Sequence, residues 1–176
     1  MMNKFIRFVR KKIIFLGEPF NCSKYMKKYT KFLKKNGMNI KGIPRYIAPS
    51  VYFDGSDYTL ISIGDRSVIS KEVILLTHDY SIARGLESIG KHNSNMYKDE
   101  LYLKPISIGK NCFIGLRTII LPGAEISDNC IIGAGSVVSG KIPANTIAFG
   151  NPLKIYCKTD EWALNKIKEG GYFVEK

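Results

Sequence analysis

The stretch IGKNCF IGLRTI ILPGAE ISDNCI IGAGSV VSGKIP ANTIAFGNP, residues Ile108 to Pro152, decides the fold. Divided every six residues, its first positions are Ile108, Ile114, Ile120, Ile126, Ile132, Val138 and Ala144. Six are β-branched aliphatics. The next position is usually small, as at Gly109, Gly115, Ser127, Gly133 and Ser139, and the fifth is mostly small, as at Cys112, Thr118, Ala124, Cys130, Ser136 and Ala148. A period of six matches neither the 3.6 of a helix nor the 2 of an ordinary strand. It predicts a coil of short flat strands joined by tight turns, with the aliphatic pointing inward and stacking on its equivalent one coil away. Gly and Asn supply turn conformations that other residues avoid.

The same register opens upstream at Ile63, Ile69 and Leu75. With three hexads per turn, Ile63, Ile108, Ile126 and Ala144 are predicted to stack along one inner edge. Ile69, Ile114 and Ile132 form a second edge, and Leu75, Ile120 and Val138 a third. The step from Leu75 to Ile108 is not a multiple of six, so part of the chain must leave the coil between them.

At 176 residues the chain is one domain's length, and 45% hydrophobic residues suffice for a full core. No apolar run approaches the length of a membrane span. The opening MMNKFIRFVRKKIIFLG intersperses its charges and lacks the form of a signal peptide. Four cysteines, at 22, 112, 130 and 157, have no metal-like spacing. Cys112 and Cys130 fall one coil apart at the same small inward position, as neighbouring buried thiols of a reducing compartment. The net charge of +12 is uneven: residues 1–45 hold thirteen Lys or Arg and one acid, Glu18, whereas the remainder is balanced.

Residues 1–39 read as a basic helical segment. Phe5, Phe8, Val9, Ile13 and Leu16 share one side of a first helix, ended by Gly17 and Pro19. Tyr25, Met26, Tyr29, Phe32 and Leu33 mark a second, with Lys24, Lys27, Lys28, Lys31, Lys34 and Lys35 on its remaining surface and Asn36-Gly37 as its stop. Such helices pack on the domain or lie on an anionic membrane through residues 1–37. No stacking-aromatic groove accompanies the lysines, so nucleic acid is not expected. Residues 40–158 form the solenoid, starting with a less regular coil over 40–62. Ser81 to Pro105 is polar, glycine-broken and out of phase, and is read as an extruded loop across a cleft. Residues 159–176 form a capping helix, Glu161 to Lys168, and tail, placed over the open end of the solenoid.

The isoleucine hexads, Thr77-His78-Asp79 before an extruded loop, IGKNCFIG, ILPGAEI, IGAGSVV and GNPLK together resemble the hexapeptide-repeat acyltransferases, over about residues 45 to 158. The likeness is strongest to their sugar and polysaccharide O-acetyltransferase branch. The resemblance implies a left-handed parallel β-helix, acetyl-CoA as acyl donor, no metal, a cytoplasmic location and a homotrimer with a site in each subunit cleft. The left hand is an exception to the usual right-handed crossover. It also implies that His78, at the position matching the family's catalytic histidine, is the general base. A histidine's ordinary pKa lies near working pH. Asp79 either orients the imidazole or anchors the loop. His92, mid-loop, is read as a surface residue or a minor acceptor contact. By matching position, Phe113, Gly115, Leu116, Ala134, Gly135, Ser139, Lys141 and Lys154 line the acetyl-CoA site. Gly115 would admit the pantetheine arm, and Ala134 and Gly135 would offer it their backbone. Lys141 stands one place from the usual lysine, and Lys154 matches a basic residue near the phosphates.

The acceptor implied is a hydroxyl of a sugar or of a polysaccharide or glycolipid precursor. Alternatives are a small diffusible acceptor (an amino sugar, serine or a xenobiotic) and a non-catalytic solenoid. A zinc enzyme on this scaffold needs three histidine ligands, and the chain has two.

Overall fold

The computed structural model describes residues 21–54, 57–92 and 99–171. The helix expected over residues 3–16 lies outside them. The hexads form a triangular coil of short parallel strands. The first coil is β1 (Asn39–Ile40), β2 (Tyr46–Ile47) and β3 (Tyr52–Phe53), and the second is β4 (Ile61–Ile63), β5 (Val68–Ile69) and β6 (Ile74–Leu75). After an excursion come β9 (Ile106–Ile108), β10 (Phe113–Ile114) and β11 (Ile119–Ile120), then β12 (Glu125–Ile126), β13 (Ile131–Ile132) and β14 (Val137–Val138). The last, partial coil is β15 (Lys141–Ile142) and β16 (Thr146–Phe149). The strands stack into three faces: β1-β4-β9-β12-β15, β2-β5-β10-β13-β16, and β3-β6-β11-β14. The architecture is a left-handed parallel β-helix.

The inner edges follow the hexad phase with one correction. Ile40, Ile63, Ile108, Ile126 and Ile142 stack in register, so Ile142 takes the place predicted for Ala144. The turn after Val138 is shorter than the others and is made by Gly140 at φ +69°. The same shift places Ala148 inward against Ile132 rather than at a fifth position. Ile47, Ile69 and Ile114 continue that second edge, and Phe53, Leu75, Ile120 and Val138 make the third. These side chains are almost wholly buried, and each full burial is worth about 1.5–3 kcal/mol.

The small second position has a steric cause. A methyl on Gly64 would come within 2.4 Å of the Gly109–Lys110 backbone, and one on Gly115 within 2.5 Å of Ala134 N. Both lie where the next coil's backbone passes. Turn residues adopt the left-handed region: Asn111, Asn129 and Asn145 have φ of 54–57°. Their side-chain amides bond in sequence, Asn111 to Asn129 at 3.0 Å and Asn129 to Asn145 at 2.9 Å. Arg66, Glu72 and Arg117 take the same conformation, and Arg117 Nε lies 2.6 Å from Glu72 Oε2.

The second predicted helix is α1 (Cys22–Lys35), capped by the Asn21 side chain on Lys24 N–H. Its Tyr25, Met26, Tyr29 and Leu33 are buried against the first coil, and Tyr25 O–H donates to Ile47 O at 2.6 Å. Its apolar side is therefore used in packing. The excursion is not a plain loop, because it contains α2 (Ser81–Ser88) after β7 (His78–Asp79), and β7 pairs antiparallel with β8 (Tyr102–Leu103). The break in hexad phase predicts the departure, but one short helix gives too brief a periodic signal among glycines.

At the other end, β17 (Lys154–Lys158) turns back antiparallel on β16 after the cis Asn151–Pro152 bond. The final helix, α3 (Thr159–Glu169), has no buried residue. β17 thus extends the second face at the last coil, and α3 is tied there at its start, where Thr159 N–H donates to Asn145 O at 3.1 Å and Thr159 Oγ1 to Asn129 O at 2.8 Å. Cys112 and Cys130 are free, buried neighbours as predicted, with Cys112 Sγ donating to Ser127 O and Cys130 Sγ to Pro143 O. The neighbouring Cys130, together with burial, holds the Cys112 thiol above its ordinary pKa.

Gly64→Ala should destabilise the fold by about 2–3 kcal/mol through overpacking. Gly85→Ala, in α2 with open space around its Cβ position, should stabilise by up to about 1 kcal/mol. Paired urea titrations of the two variants check the contrast.

Candidate active site

His78 sits where the third face turns toward the first and the chain leaves the coil. Its carboxylate partner is Asp54, from the end of the first coil. Asp54 Oδ2 lies 2.5 Å from His78 Nδ1 and also accepts the backbone N–H of Thr77 at 3.1 Å and of His78 at 3.3 Å. The carboxylate side chain is 5% exposed and the imidazole 28%. Two backbone donors thus fix the carboxylate, and the carboxylate fixes the ring. With Nδ1–H given to Asp54, the neutral ring carries its lone pair on Nε2, an assignment inferred from this hydrogen-bond pattern. The half-exposed Tyr80 ring meets the imidazole edge-on, with centroids 5.1 Å apart and planes at 81°.

Asp79 does not orient His78. Its Oδ1 accepts the Ser81 N–H at 2.8 Å, which is the loop-anchoring alternative. Alternation along β7 turns the two side chains to opposite sides. The Ser81 bonds hold the Asp79 carboxyl below its ordinary pKa. Nor is His92 a simple surface residue: Nδ1 lies 2.7 Å from Glu100 Oε2, and Nε2 lies 3.8 Å from Asp99, which also binds Arg84 of α2 at 2.7 Å. His92 therefore helps pin the excursion to its return segment.

The eight positions matched to acetyl-CoA binding divide into two places. Phe113 lies on the outer side of the second face, and Gly115, Leu116, Ala134 and Gly135 lie at or beside the turns from second to third face. Lys154 is on β17, continuing the second face. Ser139 lies at the opposite turn, from third to first face, as His78 does, and Lys141 opens the first-face strand β15 just beyond it. The two places are separated within one chain by the third face, about five extended residues or roughly 16 Å. Gly115 is explained by the neighbouring coil and needs no ligand to account for it. Gly135 N–H is bonded to Leu116 O at 2.8 Å, so a ligand there meets its carbonyl. Lys141 Nζ is 3.1 Å from Glu125. Lys154 is exposed and forms no ion pair among the described residues. No group of three His, Cys, Asp or Glu among the described residues is arranged to hold a metal.

Outward residues distinguish the three faces. Tyr46, Val68, Phe113 and Ile131 align on the second, and Tyr52, Ile74, Ile119 and Val137 on the third. The first face carries Ser62, Ser107, Glu125 and Lys141. Phe113 is 44% exposed and Tyr52 55%. No helix among the described residues is long and apolar enough to cross a membrane.

A family model described as the hexapeptide repeat of succinyl-transferase matches residues 105–139. The galactoside O-acetyltransferase of Escherichia coli (strain K12) is 38% identical over 99 residues, which cover 56% of this chain and 44% of that protein. The galactoside O-acetyltransferase of Lactococcus lactis is 31% identical over 105 residues, 60% of this chain and 46% of that protein. The chain spans about half the length of these curated relatives. A galactoside acetyltransferase solved in complex with coenzyme A matches with a TM-score of 0.58 at 25% identity, over 96% of this chain and 86% of that one. A hexapeptide-repeat acetyltransferase from Vibrio cholerae shares the fold, with a TM-score of 0.60 at 17% identity over 89% of this chain and 90% of that one.

The Asp79 bond to Ser81 tests the local electrostatics. Because the folded pKa is depressed, its stabilisation is present above the unfolded value and is lost as pH falls through the folded one, below about pH 4. Hydrogen exchange at Ser81 N–H should therefore lose protection from pH 5 to pH 3, once corrected for intrinsic rate, and Asp79→Ala should abolish that pH dependence.

Proposed function

We propose that this chain, which belongs to the hexapeptide-repeat acyltransferase superfamily, is an acetyl-CoA-dependent O-acetyltransferase acting on a hydroxyl of a sugar or of a glycan precursor. The observation that carries the reading is the imidazole held through Nδ1 by the buried Asp54, its ring still 28% exposed at the point where the excursion leaves the coil. The galactoside O-acetyltransferases among its relatives and the coenzyme A complex of a structural neighbour support the donor and the acceptor class.

In this reading the acceptor oxygen attacks the thioester carbonyl as His78 Nε2 takes its proton. Asp54 stabilises the resulting imidazolium and keeps the ring in the productive tautomer. The tetrahedral intermediate then expels the CoA thiolate, which recovers the proton from Nε2. The products are the acetyl ester and free CoA, and His78 returns to its neutral form. Asp54 and His78 are the catalytic pair, with Asp79 anchoring the excursion. Phe113, Leu116, Ala134, Gly135 and Lys154 are assigned to the donor. Ser139 lies on the acceptor side with His78, and Lys141 is held by Glu125.

The functional unit is a homotrimer. Donor positions and His78 lie at opposite turns of one chain, so the second face of one copy set against the third face of the next brings them into one cleft. The apolar stripes on those two faces support this pairing. Residues 1–39 are the basic amino-terminal segment, 40–158 the catalytic solenoid and 159–176 a peripheral tail. Four free cysteines fit a cytoplasmic setting, with the basic segment, residues 1–37, facing an anionic membrane.

Acetyl-CoA cleavage with a panel of galactosides, other sugars, serine and amino sugars tests the activity. His78→Ala should lower kcat by roughly 10²–10⁴, with KM for acetyl-CoA little changed and the melting temperature retained. Asp54→Asn should lower kcat by a comparable factor. Loss of neither rate removes the catalytic pair, and the absence of thioester cleavage with every acceptor removes the enzyme reading. Light scattering should give three times the 19.8 kDa chain mass, and Phe113→Lys combined with Ile119→Lys should shift the protein to monomer and abolish activity together.

A further inference from the structure

The strongest charge asymmetry in the molecule lies on α1. Lys24, Lys27, Lys28, Lys31, Lys34 and Lys35 are all exposed, and among the described residues none forms an ion pair. Residues 19 to 53 contain no acid at all. The helix has no acidic residue in its first turn to temper this, and the two last lysines already lie at its favourable carboxyl end. Among the described residues no acid relieves the mutual repulsion of these cations, so the surface is matched to an anionic partner.

The shape of the patch narrows the partner. The apolar side of α1 is consumed by the solenoid, with Tyr25, Tyr29 and Leu33 buried, so the helix is not free to insert into acyl chains. Those buried rings are also unavailable to stack on bases, which disfavours single-stranded nucleic acid. What remains is a lysine surface across the first coil, at the end of the solenoid opposite β17. Three-fold symmetry in the proposed trimer would set three copies of this surface at one height, making a broad basic plane. A broad basic plane fits an equally flat anionic plane.

We infer that α1 is a docking surface for an anionic lipid bilayer, with the solenoid standing upright on it and His78 held close to the headgroups. The helix is about 10 Å thick, and His78 lies one coil beyond the strands it covers, about 4.8 Å further. That places the imidazole on the order of 15 Å above the lipid, within reach of a sugar carried on a lipid anchor. Trp162, in α3 at the far end, stands well above that height. Docking is independent of the chemistry, and its role in presenting an acceptor rests on the acyltransferase reading.

The test is flotation of the full chain with vesicles of mixed phosphatidylcholine and phosphatidylglycerol, and with phosphatidylcholine alone. Binding is expected only with the anionic lipid and should vanish at high salt. The variant Lys24→Glu/Lys28→Glu/Lys31→Glu/Lys35→Glu, with its melting temperature unchanged, should bind at least 100-fold more weakly. A less drastic Lys→Gln set of the same four positions serves if the reversal fails to fold. Orientation is read by energy transfer to dansyl headgroups: little from native Trp162, and much more from Leu103→Trp in a Trp162→Phe background. Equal flotation with both lipids, undiminished binding of the folded variant, or stronger transfer from Trp162 overturns the proposal. So does retention of an RNA oligomer in place of vesicles. Vesicle binding without thioester cleavage leaves docking standing and removes the enzyme reading; soluble-acceptor turnover without vesicle binding does the reverse.

Discussion

The amide that follows each inward aliphatic donates to a carbonyl one coil away: Gly64 N–H to Ile108 O at 2.8 Å, Gly109 to Ile126 at 2.7 Å, Gly115 to Ile132 at 2.8 Å and Gly133 to Ala148 at 2.9 Å. These bonds set the coil spacing, and at Gly64, Gly109 and Gly115 the next coil's backbone also passes where a side chain would lie. Every other feature inherits this constraint. The aliphatics stack because their coils are fixed in register. The turns need left-handed residues because each corner must redirect the chain within about four residues, and one of them takes a positive φ. The site is stiff because Asp54 and His78 are attached to successive coils of the same ladder.

The hexad phase from Ile108 to Val138 is legible in the sequence because it has one residue class per slot and an unbroken repeat. It fails just beyond Val138, where a shortened turn moves Ile142 into the inner edge. A six-residue count cannot detect such a deletion when an alanine falls at the expected place. The first coil is less legible for the opposite reason. The steps from Ile47 to Ile69 and from Phe53 to Leu75 exceed three hexads, and the extra length includes a short 3₁₀ turn at Tyr58–Leu60. Helix α3 is visible in the sequence but its packing is not, since a pattern does not reveal which surface a marginally amphipathic helix meets.

The same irregular coil hides Asp54. His78 is conspicuous as one of two histidines, next to the break in phase. Its neighbour Asp79 is adjacent in sequence, but strand alternation turns it to the other side. Asp54 lies far earlier in the chain and becomes a neighbour only when Phe53 is aligned with Leu75. That alignment is the signal that could have found it: Asp54 directly follows an inward aromatic and so falls beneath Thr77-His78. The positions proposed for the donor form a set in the sequence, but the geometry divides them between two corners, which a linear motif cannot express.

The two ends of the solenoid are closed by different means, a helix over the first coil and a reversed strand, β17, on the last edge of the second face. A regular solenoid continues only when the next strand runs the same way as its neighbour in the coil below. Reversing the final strand withdraws that template, and α1 obstructs the opposite end. Among the described residues, both ends of the second face are thus made unlike the regular ladder, while the apolar second and third faces stay available for sideways association. A protein built from the same stacked geometry as a fibre thus carries, at each end, an element that breaks the repeat.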